Sequence, residues 1–266
     1  MKLLAQGDDY GLSRSVTYGI DDSIAYGMVR NTGIFINMPA RRLAIDLMSG
    51  HPNICYGIDF NIVCGHPVLD PGRIPHLVTE DGSFLRSGAA VSDPRYGTAD
   101  GRREMFPYDE VYAELRAQFD RYVAEVGKAP GYLHAHSLQH ENYEDAIRQI
   151  SRETGIPYSM DLFVEQGFLR SWLMHPPAES AQKKQFDAAA QLGKDTLHIV
   201  RDDAEEFLAH DKVALVCHPG YVDAELLECT SLSLERLRDA QMFQSAWLAD
   251  WVRANDVELV TYYDLY

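Results

Sequence analysis

Short apolar runs alternate along the chain with longer segments in which apolar residues recur with the period of a helix. The short runs indicate strands, and the longer segments indicate amphipathic helices. The predicted strands are residues 2–7, 33–38, 55–62, 132–137, 156–162, 196–200, 213–219 and 257–263. Because strands that alternate with helices favour a parallel sheet, we expect an α/β fold. Seven or eight parallel strands within 266 residues favour a (β/α) barrel that is TIM-like and need not be regular.

Three predicted helices have clear sequence signals. Ser13 is a typical N-cap for a helix that continues to about Arg30. Residues 108–127 carry one apolar stripe, and Gly127 is expected to end that helix. Residues 234–255 predict a second long amphipathic helix.

Residues 63–107 break this alternation, since they are rich in Gly, Pro and Arg and lack periodicity. A loop of this length in a compact domain is usually functional, so we expect an insertion that covers the site or forms a subunit contact. No repeat or linker divides the chain, and residues 1–266 are therefore predicted to form one domain.

The charge balance narrows the classes of partner. The chain has 24 Lys and Arg against 40 Asp and Glu, a net charge of −16. This balance argues against binding to nucleic acid or to anionic membranes, which needs clustered basic residues. No apolar run approaches the ~20 residues of a membrane span, and no signal peptide is recognisable. Four scattered cysteines, Cys55, Cys64, Cys217 and Cys229, favour a reducing cytoplasm.

Acidic and imidazole side chains gather where predicted strands end. They are Asp8 and Asp9 after the first strand, Asp59 near the end of the third, His134 and His136 on the fourth, and His218 on a late strand. In a parallel barrel these strand ends share one rim, which is where such barrels build active sites. Two adjacent carboxylates also need a compensating cation, a shared proton or open water.

Each of these residues also has a structural interpretation. His134 alone is more simply a hydrogen-bonded structural residue, whereas His136, close to His140 and the acidic strand ends, is favoured as a metal ligand. Either carboxylate of the pair could cap the following helix, although hardly both. Tyr10 and Tyr221 could stack on a sugar ring or belong to the core.

Four motifs make the chain resemble the YdjC/ChbG-like carbohydrate deacetylases. They are QGDDYGLS (6–13), the pair Glu114 and Gln118, HAHSLQH (134–140) and CHPGYVD (217–223). The resemblance spans most of the chain, and residues 63–107 and 160–195 match loosely. It implies a divalent metal held by Asp9 and His136, with Asp8 as the base, and it suggests a homodimer.

Two departures from the family pattern bear on the metal. Asp59 stands where the family has a ligand His, and His134 and Leu138 replace an Asp and a His of the fourth-strand run. A carboxylate can still bind a hard divalent ion, so we expect Asp9, Asp59 and His136 to be ligands, with His134 and His140 as possible additional ones. The oxygen-rich set favours Mg²⁺, with Zn²⁺ and Mn²⁺ as alternatives.

The expected function is a metal-dependent hydrolase that removes acetyl groups from N-acetylated amino sugars or short oligosaccharides. In that reaction the metal polarises the amide, Asp8 takes a proton from water, and His218 stabilises the oxyanion or protonates the amine. Tyr10 and Tyr221 are the expected contacts with the carbohydrate. The alternatives are a sugar-binding or regulatory protein of the same fold with weakened or lost catalysis, and another metal-dependent amide or ester hydrolase.

Overall fold

Seven parallel strands form one sheet in the computed structural model, which describes residues 1–138, 140–172 and 187–266. The strands are β1 (Lys2–Tyr10), β2 (Asn31–Ile34), β3 (Cys55–Phe60), β4 (Leu133–Ala135), β5 (Leu169–Trp172), β6 (Lys212–Cys217) and β7 (Glu258–Val260). Their order is β4-β3-β2-β1-β6-β5, and β7 pairs with β1. The prediction of an irregular, parallel α/β barrel is confirmed in the form of a half-barrel.

Helices cover this sheet. They are α1 (Arg14–Ala25), α2 (Arg41–Leu47), α3 (Ser87–Ser92), α4 (Ala99–Met105), α5 (Tyr108–Val126), α6 (Glu141–Thr154), α7 (Ser159–Glu165), α8 (Ala188–Gly193), α9 (Thr196–Asp202), α10 (Ala204–Leu208), α11 (Ala224–Cys229), α12 (Glu235–Phe243) and α13 (Ala246–Ala254). None of the helices within the described ranges is both long and apolar enough for a membrane span.

Strand β1 is the centre of the sheet. It pairs with β6 from Lys2 to Gly7, and with β7 over the first three of those positions. Every residue of β1 after Lys2 is buried, as expected for a parallel strand covered on both faces. The strand runs further than predicted and includes Asp8 and Asp9, with an irregularity in its pairing to β2 between Gly7 and Tyr10. The carboxylate pair therefore lies within the strand end.

The sequence signals for helix boundaries are partly confirmed. Ser13 caps α1 by accepting the Val16 N–H, although α1 ends at Ala25 rather than near Arg30. Helix α5 ends at Gly127, whose φ of 80° is the left-handed conformation that glycine adopts at low cost. The long helix expected over 234–255 is two helices, because Ser245 starts α13 as a new N-cap.

Two predicted strands are wrong, and one strand was missed. Residues 156–162 mostly belong to α7, and only Tyr158 forms a bridge to β4. Residues 196–200 belong to α9, because the Asp195 side chain caps the helix by accepting the His198 N–H. Strand β5 was not predicted, since its polar Arg170 and Ser171 interrupt the apolar pattern.

The irregular segment 63–107 packs against the body of the fold. It contains α3 and α4, and its buried apolar side chains join the main core cluster: Ile74, Leu77, Phe84, Ala90, Met105 and Phe106. Glu114 of α5 accepts the backbone N–H groups of Val68 and Leu69, at 2.9 and 3.0 Å. The segment is thus anchored beside the end of β3, where Asp59 lies.

Candidate active site

The carboxyl ends of β1, β3, β4 and β6 bring the predicted site residues together. Asp9 contacts Asp59 and His136, Asp8 faces His134, and the charges of Asp8 and Asp9 act on His218. A fully buried arginine from α12, Arg236, also contacts Asp9. The shared rim expected from the strand order is therefore where these side chains lie.

Asp9 is the most tightly held of the carboxylates. Its Oδ1 lies 3.0 Å from His136 Nδ1, and its Oδ2 accepts a hydrogen bond from Arg236 Nη2 at 2.5 Å. Its φ of 78° is left-handed, and its backbone N–H donates to Asp59 Oδ2 at 2.8 Å. Burial alone would raise the pKa of Asp9, but the electrostatic interactions with His136 and Arg236 hold that pKa well below its ordinary value. Asp9 is therefore ionised at neutral pH.

Asp8 forms a second ion pair beside it. Its Oδ1 accepts a hydrogen bond from Gln6 Nε2 at 2.6 Å, and its Oδ2 lies 3.5 Å from His134 Nε2. The other ring nitrogen of His134 is 2.6 Å from Ser159 Oγ, which fixes the imidazole. Burial opposes charge on both partners, but their mutual attraction lowers the pKa of Asp8 and raises that of His134 to about 9. At neutral pH this is a carboxylate–imidazolium pair.

Asp59 differs from these two because it has no cation directly opposite. Burial and the charge of Asp8 raise the pKa of Asp59 well above its ordinary value, which favours the protonated form of this carboxyl group. Its Oδ1 is buried and has no hydrogen-bond partner among the described residues. A Cβ placed on Gly33 of β2 would lie 1.8 Å from that oxygen, so only glycine fits there. The sheet thus makes room for the Asp59 carboxyl group.

His218 lies at the end of β6 with one ring nitrogen unused. Its backbone N–H donates to Asp239 Oδ2 at 3.1 Å, while its Nδ1 is buried without a partner in the part of the chain that the structure describes. Burial, reinforced by the charge of Arg236, lowers the pKa of His218 although the acidic neighbours oppose this, so the ring is neutral at neutral pH. Asp239 is itself held by Lys194 at 3.1 Å and by Thr196 at 2.7 Å.

The remaining predicted residues occupy other positions. His140 is the N-cap of α6, accepting the Tyr143 N–H through Nδ1, and its ring stacks on Phe106 with centroids 4.5 Å apart. Burial lowers the pKa of His140 to about 4. Tyr10 is fully buried and bonds to Asp21, and Tyr221 bonds to Asp22 of α1.

The chemistry of the donor set fits a divalent ion. Asp9 Oδ1 and His136 Nδ1 are close enough together to share one ion, and the unpartnered Asp59 Oδ1 provides a third donor. In the described ranges no three His, Cys, Asp or Glu donors already surround a common point. One reason is that Asp59 Oδ2 is bonded to the Asp9 amide and Asp9 Oδ2 to Arg236. Binding of an ion by Asp9, His136 and Asp59 would therefore require the Asp59 side chain to shift.

Sequence reasoning missed the residues that hold the site from a distance. Arg236 and Asp239 come from α12, and Ser159 comes from a segment interpreted as a strand. In α12 the charged residues Glu235, Arg236 and Asp239 are almost fully buried, and charged residues are rarely buried unless they are paired. This burial is a property of the structure, so a single sequence gives no signal that α12 contributes to the site.

Comparisons with known proteins identify the family and the fold. The model of the family described as YdjC-like protein matches residues 2–254. Carbohydrate deacetylase 2 of Listeria innocua is 28% identical over 270 residues, covering 100% of this chain and 99% of that protein. The carbohydrate deacetylase of Halalkalibacterium halodurans is 29% identical over 252 residues, covering 94% and 98%. A crystal structure from Enterococcus faecalis, described as a candidate cellobiose-phosphate cleavage protein, has the same fold, with a TM-score of 0.77, 18% identity and coverage of 99% and 98%.

Proposed function

The chain belongs to the YdjC-like family, and we propose that it is a metal-dependent hydrolase that removes acetyl groups from N-acetylated amino sugars or short oligosaccharides. Relatives named carbohydrate deacetylases match it over nearly their whole length. The observation that carries the proposal is the group of buried or half-buried side chains at the strand ends, which we call the rim cluster: Asp8, Asp9, Asp59, His134, His136 and His218. In this cluster an ionised Asp8 stands beside the Asp9–His136 pair. These groups are the base and two of the ligands that hydrolysis of an amide would need.

The proposed metal is Mg²⁺, with Zn²⁺ and Mn²⁺ as alternatives, held by Asp9, Asp59 and His136. When bound, it would polarise the amide carbonyl and lower the pKa of a water molecule. Asp59 stands where the family has a ligand His, and it is the direct partner of His134 in the pairing of β3 with β4. The proposed set therefore has a carboxylate in place of one imidazole, which still suits a hard divalent ion.

Asp8 is the proposed general base. It is ionised because His134 faces it, and Gln6 fixes the orientation of its carboxylate. Tyr262 donates to the Oε1 of Gln6, so the amide has one defined orientation. A carboxylate held in this way can take a proton from water without first reorganising its hydrogen bonds.

His218 is the proposed partner for the second half of the reaction. An amine leaves poorly unless it gains a proton. The neutral imidazole has an unused Nδ1, so it can hydrogen-bond the developing oxyanion or pass a proton to the leaving amine. Asp239 fixes the backbone of His218, which keeps the ring in place.

Metal analysis combined with an acetate-release assay tests the proposal. The purified protein is stripped with a chelator, reloaded with Mg²⁺, Zn²⁺ or Mn²⁺, and incubated with N-acetylated mono- and disaccharides. We expect acetate release only after reloading. Asp8→Asn is the matched control, since it should keep the metal but lose turnover. Acetate release at full rate by the stripped protein would overturn metal dependence, and none with any substrate would overturn deacetylation.

One observation favours a second candidate, a sugar-binding protein of the same fold without turnover. Arg236 already balances the negative charge of Asp9, whereas in a metal site the ion would balance it. This candidate predicts weak metal binding together with calorimetric binding of an acetylated sugar and no acetate release. A cytoplasmic location, a homodimer and the absence of nucleic-acid binding stay predictions from the sequence.

A further inference from the structure

Two cysteines that were far apart in the sequence lie side by side in the fold. Cys64 is the second residue of the segment 63–107, and Cys229 is the last residue of α11. The Cys64 S–H donates to the Cys229 carbonyl oxygen, with Sγ and oxygen 3.9 Å apart, and the two side chains are close enough for each to shift the pKa of the other. Cys64 is 8% exposed and Cys229 is half-buried, so a small oxidant can reach the pair. Cys55 and Cys217, by contrast, are fully buried in β3 and β6.

The surroundings hold Cys64 firmly. The side chain of Asn61 accepts the Cys64 N–H at 3.0 Å and donates to the Cys64 carbonyl at 2.7 Å. Asn37 donates to the same carbonyl at 3.1 Å. Close by, the Arg86 guanidinium donates to the Glu228 carbonyl, so segment 63–107 contacts the end of α11 at two points. The pair of thiols therefore marks a built contact between two segments that flank the site.

We propose that Cys64 and Cys229 are a site of reversible oxidation, at which hydrogen peroxide joins them in an intramolecular disulfide. The Cys229 thiolate attacks one peroxide oxygen, the O–O bond breaks, and sulfenic acid and hydroxide form. The Cys64 sulfur then attacks the sulfenic sulfur, expelling its oxygen, which leaves as water with the proton lost from Cys64. Two thiols and one hydrogen peroxide give one disulfide and two waters, and the sulfurs are oxidised as the peroxide is reduced.

The order of attack follows from the contact between the thiols. The interaction with the Cys64 side chain lowers the pKa of the Cys229 thiol. The same contact, with burial, raises the pKa of the Cys64 thiol. Because the thiolate is the reactive form, Cys229 reacts first and Cys64 resolves the sulfenic acid.

The disulfide would join two segments that follow strands carrying site residues. Segment 63–107 follows β3, which carries Asp59, while α11 follows the β6 segment that carries His218. The other end of α11 is already fixed, because its N-cap Asp223 accepts the Ser15 N–H at 2.9 Å. A covalent bond at the other end would fix α11 to segment 63–107.

The test treats the reduced full-length protein with a range of hydrogen peroxide concentrations, blocks free thiols by alkylation, and maps peptides without reduction. We expect a Cys64–Cys229 cross-linked peptide that dithiothreitol removes, while Cys55 and Cys217 stay reduced as internal controls. Trypsin should cut at Arg86 more slowly in the oxidised protein, and at the same rate in oxidised and reduced Cys229→Ser.

Single variants separate the two steps. Cys64→Ser should leave Cys229 as a sulfenic acid that a dimedone probe traps, whereas Cys229→Ser should leave Cys64 reduced. Both should lose the cross-linked peptide completely. The proposal is overturned if folded wild-type protein keeps both thiols reduced in excess peroxide, if the cross-links are intermolecular, or if Cys64→Ser gives no trapped sulfenic acid.

Discussion

Replacing Arg236 by Met should destabilise the metal-free protein strongly. Arg236 and Asp9 are 1% and 0% exposed and hydrogen-bonded at 2.5 Å. The substitution keeps much of the volume but leaves a buried carboxylate facing only His136. Breaking a buried ion pair from one side costs about 3–5 kcal/mol. At roughly 2–4 °C per kcal/mol for a chain of this size class, the melting temperature should fall by about 6–20 °C.

The stability that this ion pair contributes should depend on pH in a defined direction. Asp9 has a folded pKa well below its unfolded value, so its ion pair stabilises the protein above the unfolded pKa and is lost as pH falls through the folded pKa. The difference in melting temperature between wild type and Arg236→Met should therefore be largest at neutral pH and should become smaller in acid.

The assay is thermal unfolding followed by circular dichroism, in chelator at low ionic strength, with Arg236→Lys as the control that keeps the charge. Added divalent metal should restore part of the stability of Arg236→Met, because an ion bound to Asp9 replaces the lost positive charge. Equal melting temperatures for wild type and Arg236→Met in chelator would refute the reasoning, as would a gap that is independent of pH.

Other residues of the rim cluster have separate, measurable roles. Asp8→Asn should keep the metal and lower acetate release by about 10²–10⁴-fold, whereas Asp9→Asn should lose both; metal loss in Asp8→Asn with retention in Asp9→Asn would reverse the roles. Asp59→Ala should lower metal occupancy and Asp59→His should keep it, and full occupancy in Asp59→Ala would contradict its role as a ligand. Because the folded pKa of His134 is raised to about 9, its pairing with Asp8 stabilises the protein fully below the unfolded pKa and is lost as pH rises through about 9. The free energy of unfolding in urea should fall as pH rises through about 9 in wild type and not in His134→Gln. The same pH dependence in both proteins would count against the ion pair.

The parallel core could be predicted because its strands are buried on both faces. Such strands have nearly continuous apolar runs, as in the first half of β1 and in β6. Short runs of the same kind also occur in buried helices, and periodicity alone does not separate the two. The run at 196–200 is helical because Asp195 caps it, whereas the apolar pattern alone favours a strand there.

The rim cluster was predictable for a related reason. Its residues sit at strand ends, and parallel pairing alone brings strand ends together. Their partners are different, because Arg236, Asp239 and Ser159 reach the site through the packing of α12 and α7. Which face of a helix meets the rim depends on tertiary contacts that one sequence does not encode locally.

The adjacent carboxylates of β1 are tolerated because each has its own cation on a different element. Asp8 is paired with the imidazolium of His134 and Asp9 with the guanidinium of Arg236, while burial and the charge of Asp8 raise the pKa of Asp59 well above its ordinary value. A raised pKa favours the protonated carboxyl group, whereas a metal–carboxylate bond needs the ionised one. Metal binding by Asp59 therefore competes with its proton, and we expect the metal affinity of the purified protein to rise with pH.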